Sequence, residues 1–208
     1  MNIEIRRAIP EDAPGIWAVA HNRSKSVRKK AGVSDEDLSR EGFLLYPLAA
    51  SSENEPNYRE RIEHSDHFWI AAEGGRIIAF NMAYTFETMR KFAHLTSNDL
   101  NLLDYFLDRW SCEPGCVYQQ QVAVLLSHAR CGVITQVVER FFENAARSGA
   151  PAAICEIAQA PLKNIASTAS ALKNGFRMVA TRIKIDPISG KDRISGTFVR
   201  TLLSDSQK

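Results

Sequence analysis

The sequence predicts an α/β protein (α+β by some schemes) whose mixed, mostly antiparallel sheet of six to seven strands carries helices on both faces. Three observations predict this fold: a Gly-Gly turn between two apolar runs, a strand followed by a long amphipathic helix and another strand, and two strands that close the chain. The 208 residues suit one domain, so we expect residues 1-208 to form a single unit with a helical insertion at about 87-110.

The N-terminal third is predicted to hold one strand and short helices. Ile3 to Ala8 alternates as a strand does, and Pro10 to Pro14 supplies the prolines and acids that favour the first turn of a helix running to about Asn22. The basic run from Arg23 to Lys30 is more typical of a solvated loop or helix face than of a binding patch. Asn57 to His64 predicts a further short helix.

The middle of the chain predicts a hairpin and then a β-α-β unit. His67 to Glu73 and Arg76 to Tyr84 are two strands joined by Gly74-Gly75. After the insertion, Cys116 to Val124 reads as a strand, and the segment from Gly132 to Ser148 has the apolar stripe of a helix packed on a sheet. The unpaired N–H groups at the start of such a helix favour a bound anion.

The C-terminal part completes the sheet. Pro151 to Gln159 is predicted as a buried strand, followed by a helix from Leu162 to Asn174 that ends at a glycine. Arg177 to Ile185 and Ser195 to Leu203 are predicted as the last two strands, antiparallel to each other. If the strands of the β-α-β unit are adjacent, they must be parallel with a right-handed crossover.

Composition and charge exclude several classes of protein. A net charge of +2 with 24% charged residues does not indicate a nucleic-acid binder, and no apolar run approaches a membrane span. The N-terminus has no signal-peptide pattern, so we expect a cytoplasmic protein. Two pairs of residues have the side chains that bind zinc, namely His64 with His67 and Cys112 with Cys116. Because the pairs lie far apart in sequence, we predict no metal site.

The order of elements and three segments resemble the GNAT superfamily of acetyl-CoA-dependent N-acetyltransferases. The segments are HFWIAAEGGRIIAFNMAY, YQQQVAVLLSHARCGV and NIASTASALKNGF. The resemblance covers nearly the whole chain. It implies a GNAT-type domain that moves an acetyl group from acetyl-CoA, its cosubstrate, to a primary amine of a small molecule or a protein. It implies no nucleic-acid or membrane partner and leaves a homodimer open.

The turn after the Cys116–Val124 strand matches the segment of the family that cradles the CoA pyrophosphate with backbone N–H groups. Gly132 fits its central glycine, and Arg130 lies one residue late for the first position. Ile134 stands where a small residue is usual and has the bulk to crowd the phosphate. Cofactor contacts are implied for one strand, the turn and the late helix: Val122, Ala123, Val124, Ala129, Arg130, Cys131, Gly132, Val133, Ile134, Thr135 and Asn164.

Two features of the late helix concern the family's cofactor arm and its general acid. Asn164 lies eleven residues before Gly175-Phe176, the spacing of the family's asparagine near the pantetheine arm, and it is equally a helix cap. The family often places a proton-donating tyrosine on this helix, and Ala171 stands at that position. No other residue is a secure replacement, which keeps open the alternative of a catalytically weak or inactive CoA-binding or interaction module.

The candidate catalytic residues are Tyr118, Gln120 and Glu156. Strict alternation would put Tyr118, Gln120, Val122 and Val124 on one face of their strand. Tyr118 can protonate a thiolate or hold a water, and Gln120 can hold the amine or a water. Glu156 is the nearest carboxylate on the neighbouring strand. The plainer interpretations are a core-edge tyrosine and a surface charge at a strand end.

Overall fold

The computed structural model describes residues 3–45, 55–92, 115–185 and 190–202. The strands are β1 Ile3–Arg7, β2 Trp69–Glu73, β3 Arg76–Thr85, β4 Val117–Val124, β5 Ala152–Ala160, β6 Arg177–Ile185 and β7 Asp192–Thr201. The helices are α1 Ala13–Arg23, α2 Lys25–Lys30, α3 Asp35–Glu41, α4 Glu55–His64, α5 Phe86–Met89, α6 Val133–Arg147 and α7 Ile165–Lys173. Short 3-10 turns cover Pro10–Asp12 and Leu126–His128.

The seven strands form one sheet in the order β1-β2-β3-β4-β5-β7-β6. Every neighbouring pair is antiparallel except β4 and β5, which are parallel. The predicted mixed, mostly antiparallel sheet is confirmed, including the hairpin around Gly74-Gly75 and the last antiparallel pair. None of the helices in the described ranges is long and apolar enough to cross a membrane.

Helices pack on both faces of the sheet. On one face, Tyr58 of α4 meets Phe80 of β3 edge to face. On the other face, Phe141 and Phe142 of α6 share a core with Ala83, whose side chain points away from that of Phe80 because side chains alternate along β3. Phe142 also packs on Phe176, just after α7. This double cover explains why β3 is buried along nearly its whole length.

A strap, defined as residues 38–45, links the first helices to the end of β5. Leu38 and Phe43 pack with Ala158 of β5, and the Oγ of Ser39 donates to the carbonyl of Lys163 at 2.5 Å. At its other end the N–H of Leu44 donates to the carbonyl of Arg23. The strap therefore covers the β5 side of the face on which α4 lies.

The prediction that Arg23 to Lys30 is a solvated segment is wrong at two positions. Arg23 and Arg28 are only 5% and 7% exposed. Arg23 donates to the carbonyls of Glu41 and Gly42, and Arg28 donates to the carboxylate of Glu41 at 2.5 Å. The burial arises because the strap returns over α2 and supplies these acceptors, which a local charge pattern does not reveal. Most of the predicted 87-110 insertion, and Cys112 with it, lies outside the described residues.

Candidate active site

The parallel strands β4 and β5 are paired over only two residues. Val117 pairs with Ala153 and Tyr118 with Ile154, and no further pair joins them among the described residues. Yet β4 continues to Val124 and β5 to Ala160. Beyond Tyr118 the two strands therefore separate and leave a cleft in the middle of the sheet.

A β-bulge at Gln120 marks the point where the strands separate. Met82 pairs with Gln121 but Ala83 pairs with Gln119, so β4 has one extra residue there. Strict alternation, which put Tyr118 and Gln120 on one face with Val122, is therefore wrong. The bulge reverses the phase, so Tyr118, Gln121 and Ala123 share the face on which α4 lies.

The backbone of β4 offers two N–H groups to the cleft. The N–H of Leu125 donates to the carbonyl of Ile78 on β3 at 2.9 Å. In an antiparallel ladder, alternate residues bond to the partner strand, so the N–H of Ala123 points to β3 and those of Val122 and Val124 point to the cleft. Of the three cofactor contacts implied on this strand, Val122 and Val124 therefore have backbone N–H groups that face the cleft, and Ala123 does not.

The turn after β4 delivers the chain to the N-terminus of α6. Gly132 is the N-cap in a left-handed conformation with φ of 77°, and Arg130 also has a positive φ of 68°. Gly132 has no side chain that could cap the helix, so the first N–H groups of α6 have no intrahelical or N-cap partner. Within the described ranges, nothing lies within 4 Å of a Cβ built on Gly132. These are the features of an anion site at the start of a helix of 15 residues.

Two side chains decide the shape of this turn. Ile134, the residue with the bulk to crowd a phosphate, has a side chain that is partly buried and packs against the core. His128 fastens the start of the turn: one ring nitrogen lies 3.1 Å from the Glu73 carboxylate on β2, and the other lies 2.8 Å from the Ser127 hydroxyl. Arg130 is exposed beside them.

Asn164 joins the start of α7 to the strap. Its Oδ1 accepts the N–H of Ser167 at 3.2 Å, which confirms the predicted helix cap, and its Nδ2 donates to the carbonyl of Phe43 at 2.9 Å. The side chain is buried. Ala171, where the family often has a tyrosine, is buried in the core with Phe142 and Phe176.

Tyrosines and glutamines meet at the bulge. The ring of Tyr118 is buried against Tyr84, with ring centroids 6.2 Å apart. The hydroxyl of Tyr84 donates to Oε1 of Gln120, and the hydroxyl of Tyr58 donates to Oε1 of Gln121 at 3.0 Å. The Nε2 of Gln121 is buried without a hydrogen-bond partner in the described part of the chain. This donor is therefore available to a ligand or a water.

Glu156 lies on the same face but is not the strand-end surface charge that the plainer interpretation gave. Its carboxylate is almost fully buried and forms ion pairs with Lys184 and, at 3.7 Å, with Arg182. Burial lowers the pKa of the Lys184 ammonium despite the opposing effect of Glu156, and the charges of Arg182 and Arg193 lower it further. The ion pairs follow from β6 lying beyond β7, a proximity that the sequence does not show.

Tyr58, Tyr84 and Gln121 are the polar residues that our sequence analysis missed. The available signal was the run Gln119-Gln120-Gln121, because three consecutive polar residues break the alternation of a strand, which a bulge also does. Their tyrosine partners come from α4 and β3 and left no local signal. Within the described ranges no group of three or more His, Cys, Asp or Glu residues is arranged to hold a metal ion.

Comparison with known proteins finds similarity in structure rather than in sequence. No family model and no curated protein matches the chain. Solved structures match over nearly its whole length. The PaiA N-acetyltransferase of Thermoplasma acidophilum, in complex with coenzyme A, is 14% identical with a TM-score of 0.60, covering 97% of this chain and 99% of that one.

Two further structures agree. The polyamine N-acetyltransferase of Drosophila melanogaster, which forms N-acetylagmatine, is 15% identical with a TM-score of 0.63, covering 97% of this chain and 100% of that one. A Desulfovibrio desulfuricans structure assigned to the GNAT family is 12% identical with a TM-score of 0.60 and the same coverage. The chain has the fold of the GNAT N-acetyltransferases.

Proposed function

We propose that the protein is a cytoplasmic acyltransferase that moves an acetyl group from acetyl-CoA to a primary amine of a small molecule or a protein. The observation that carries this proposal is the cleft between β4 and β5, which leads directly to the uncapped start of α6. A thioester arm needs a slot lined by backbone donors, and a pyrophosphate needs aligned N–H groups. In this chain the cleft and the start of α6 are joined by the single turn that follows β4.

The described residues fit acetyl-CoA. We assign the pyrophosphate to the backbone of the turn from Ala129 to Thr135, where Gly132 leaves space and Arg130 adds a positive charge. The N–H groups of Val122 and Val124 would hold the arm and the carbonyl oxygen in the cleft. Asn164 lies at the opposite wall. Its cap and strap bonds use one amide hydrogen and one lone pair of the oxygen, and the second of each would contact the arm.

The acceptor amine would approach from the face that carries Tyr118, Gln121 and Glu156. Its nitrogen attacks the thioester carbon, forming the C–N bond and breaking the C–S bond, so one proton must leave the amine and one must reach the sulfur. Because Lys184 and Arg182 already bind the Glu156 carboxylate, we propose that the amine proton reaches it through water held by Gln120. The hydroxyl of Tyr118 would protonate the departing thiolate, and water would return the proton from Glu156 to Tyr118. Positioning supplies the rest of the rate.

Similar structures support an amine as the acceptor. One is an agmatine N-acetyltransferase with 14% identity, and the Drosophila enzyme acts on polyamines. A second candidate function is a CoA-binding module without turnover, which is favoured by the burial of Ala171 among apolar side chains at the position of the family's usual acid. An amine panel, followed by release of free thiol, separates an enzyme from such a module.

A matched pair of glycine variants tests the cofactor site. Gly132→Val and Gly149→Val place a side chain at opposite ends of α6, at φ of 77° and 81° with nothing within 4 Å. Each costs about 1–2 kcal/mol of stability from the left-handed backbone. We expect Gly132→Val to weaken CoA binding about tenfold or more in calorimetric titration, because the phosphate turn must shift, and Gly149→Val to bind normally. Equal affinities would overturn the proposed site.

We also propose that the protein forms a homodimer through β6. This strand ends the sheet, and its apolar side chains are unusually exposed, with Ile183 at 70% and Ile185 at 50%. A long apolar edge strand favours pairing with another strand.

A further inference from the structure

A cavity of about 400 Å³ lies between α1, α2 and the beginning of the turn that follows β4. Its walls include Trp17, His21, Asn22, Arg28, Val33 and Leu126. Leu126 opens the 3-10 turn three residues before Ala129, where the phosphate turn begins. The cavity is therefore a neighbour of the proposed cofactor site but is bounded by different residues.

Arg28 is an under-compensated cation in the wall of this cavity. It is 93% buried, given its exposed fraction of 7%. One of its terminal nitrogens donates to Glu41 at 2.5 Å, whereas Nη1 is buried with no hydrogen-bond partner among the described residues. A buried guanidinium group with an unused donor is costly unless an acceptor reaches it.

Arg23 increases the excess of positive charge. It is also buried, it donates only to backbone carbonyls, and its Nη1 has no partner in the described part of the chain. Burial lowers the pKa of Arg23 to about 10, and the charge of Arg28 contributes to this, while Glu41 opposes it. The charge of the Glu41 carboxylate thus balances only one of the two guanidinium groups, Arg23 and Arg28, and the local net charge is about +1.

The other walls suit a ligand that is partly apolar. The rings of Trp17 and His21 stack with centroids 4.8 Å apart, and Val33 and Leu126 add apolar surface. Asn22 is the additional polar group at the rim. A cation set in a mostly apolar concavity is the usual composition of a pocket that orients one charged group of a small molecule.

We propose that this cavity binds an anionic group of a substrate, a phosphate or a carboxylate, through Arg28. This inference rests on the proposed function, because the anion would belong either to CoA or to an acceptor that carries a carboxylate beside its amine. In both cases the bond is a charge-assisted hydrogen bond from the guanidinium to an oxygen anion.

Two substitutions make opposite predictions. Arg28→Gln removes the cation, and we expect it to weaken binding of the anionic substrate about tenfold or more. Glu41→Gln removes the competing carboxylate, and we expect unchanged or tighter binding. If Arg28 served only to hold the fold through its ion pair with Glu41, both substitutions would break that pair and both would weaken binding. Circular dichroism melting checks that each variant folds, and Arg28→Lys provides a charge-retaining second variant.

The probes separate the sources of the anion. Weakened binding of CoA but not of 3′-dephospho-CoA assigns the site to the ribose phosphate, and equal weakening of both shows that Arg28 shares the pyrophosphate with the turn from Ala129 to Thr135. Unchanged nucleotide binding with a raised KM only for carboxylate-bearing amines assigns it to the acceptor. Arg28→Gln with all these values within about twofold of wild type, or Glu41→Gln weakened as much as Arg28→Gln, overturns the proposal.

Inorganic phosphate distinguishes failure of this inference from failure of the proposed function. Its binding can be followed by the fluorescence of Trp17 in the cavity wall, with Trp17→Phe as the baseline. If the wild type binds phosphate through Arg28 but binds no CoA, the acetyltransferase proposal fails and the anion site stands. If CoA binds equally to wild type and Arg28→Gln, and phosphate does not depend on Arg28, the anion site fails and the function stands.

Discussion

His67 is a buried residue whose protonation state is coupled to folding. Its Nδ1 accepts a hydrogen bond from Nδ2 of Asn144 on α6 at 3.0 Å, and its ring packs edge-on against Phe141. Burial lowers the pKa of the His67 imidazole, with Asp66 opposing and Arg7 adding to this effect. The folded protein therefore holds this imidazole neutral.

The pH dependence of stability follows from that shift. The unfolded chain takes up the proton near pH 6.5, before the folded chain does, so stability is fully present above about pH 6.5 and falls as the pH drops toward the folded pKa. We expect the free energy of unfolding to fall by up to about 1.4 kcal/mol per pH unit in that window. Urea unfolding at several pH values measures the slope. His67→Gln can still accept the hydrogen bond from Asn144, and it should lose the contribution of His67 to this slope. An unchanged slope would mean that another group titrates in this window.

Single side chains were the least predictable part of the site. The candidate positions Tyr118, Gln120 and Glu156 could be named from the sequence and the resemblance, but their surroundings could not. The bulge at Gln120 depends on pairing with β3, and the burial of Glu156 depends on β6. Arg28 was assigned to solvent because long cationic side chains are usually exposed, and its acceptor, Glu41, comes from the strap.

At the scale of elements, Asn164 makes the connection most open to test. Asn164→Ala removes both the cap of α7 and the bond to Phe43, and we expect a loss of about 2–3 kcal/mol of stability. Asn164→Ser keeps an oxygen that can cap the helix but leaves the carbonyl of Phe43 unpaired, so we expect roughly half that loss. Chemical unfolding of both variants provides the measurement. Equal losses would show that the cap contributes nothing, and a serine variant as stable as the wild type would show that the bond to the strap contributes nothing.

Long periodic elements were predicted closely. The helix expected from Gly132 to Ser148 is α6, Val133–Arg147, and the strand from Arg177 to Ile185 has those bounds. Their apolar spacing and glycine ends fix their extent locally. The helix expected from Leu162 starts at Ile165 instead, because Asn164 is its cap. The short α2 was predicted only as a solvated loop or helix face. Its burial was missed because that burial comes from the strap rather than from the pattern of α2 itself.

At the scale of the whole molecule, the sequence of β6 indicates how the two copies of this strand would be aligned in the proposed dimer. Antiparallel pairing of β6 with a second copy about Thr181 puts Val179 opposite Ile183 and Arg182 opposite Ala180, so no like charges face each other. Ile183→Lys should convert the dimer to monomer in sedimentation velocity, because it buries a charge against Val179. Ile165→Lys, at another exposed apolar position on α7 (51% against 70% for Ile183), should not. A wild type that stays monomeric at high concentration would contradict the dimer.

The overall sheet could be predicted from the sequence, whereas its central gap could not. Alternation and turn residues predict the strands, and chain order with the handedness of crossovers restricts their arrangement. No residue pattern shows that β4 and β5 pair over only two residues. The gap is a property of the assembled sheet, and the bulge at Gln120 lies where it begins.

The short contact between β4 and β5 also has a mechanical consequence. It divides the sheet into a four-stranded part, β1 to β4, and a three-stranded part, β5 to β7, joined by two rungs of the ladder. Any molecule that fills the gap and contacts both walls therefore links the two parts and restrains their relative motion. Occupancy should then make the two parts exchange their amide hydrogens as one cooperative unit, so that the protection gained extends to strands that the ligand never touches.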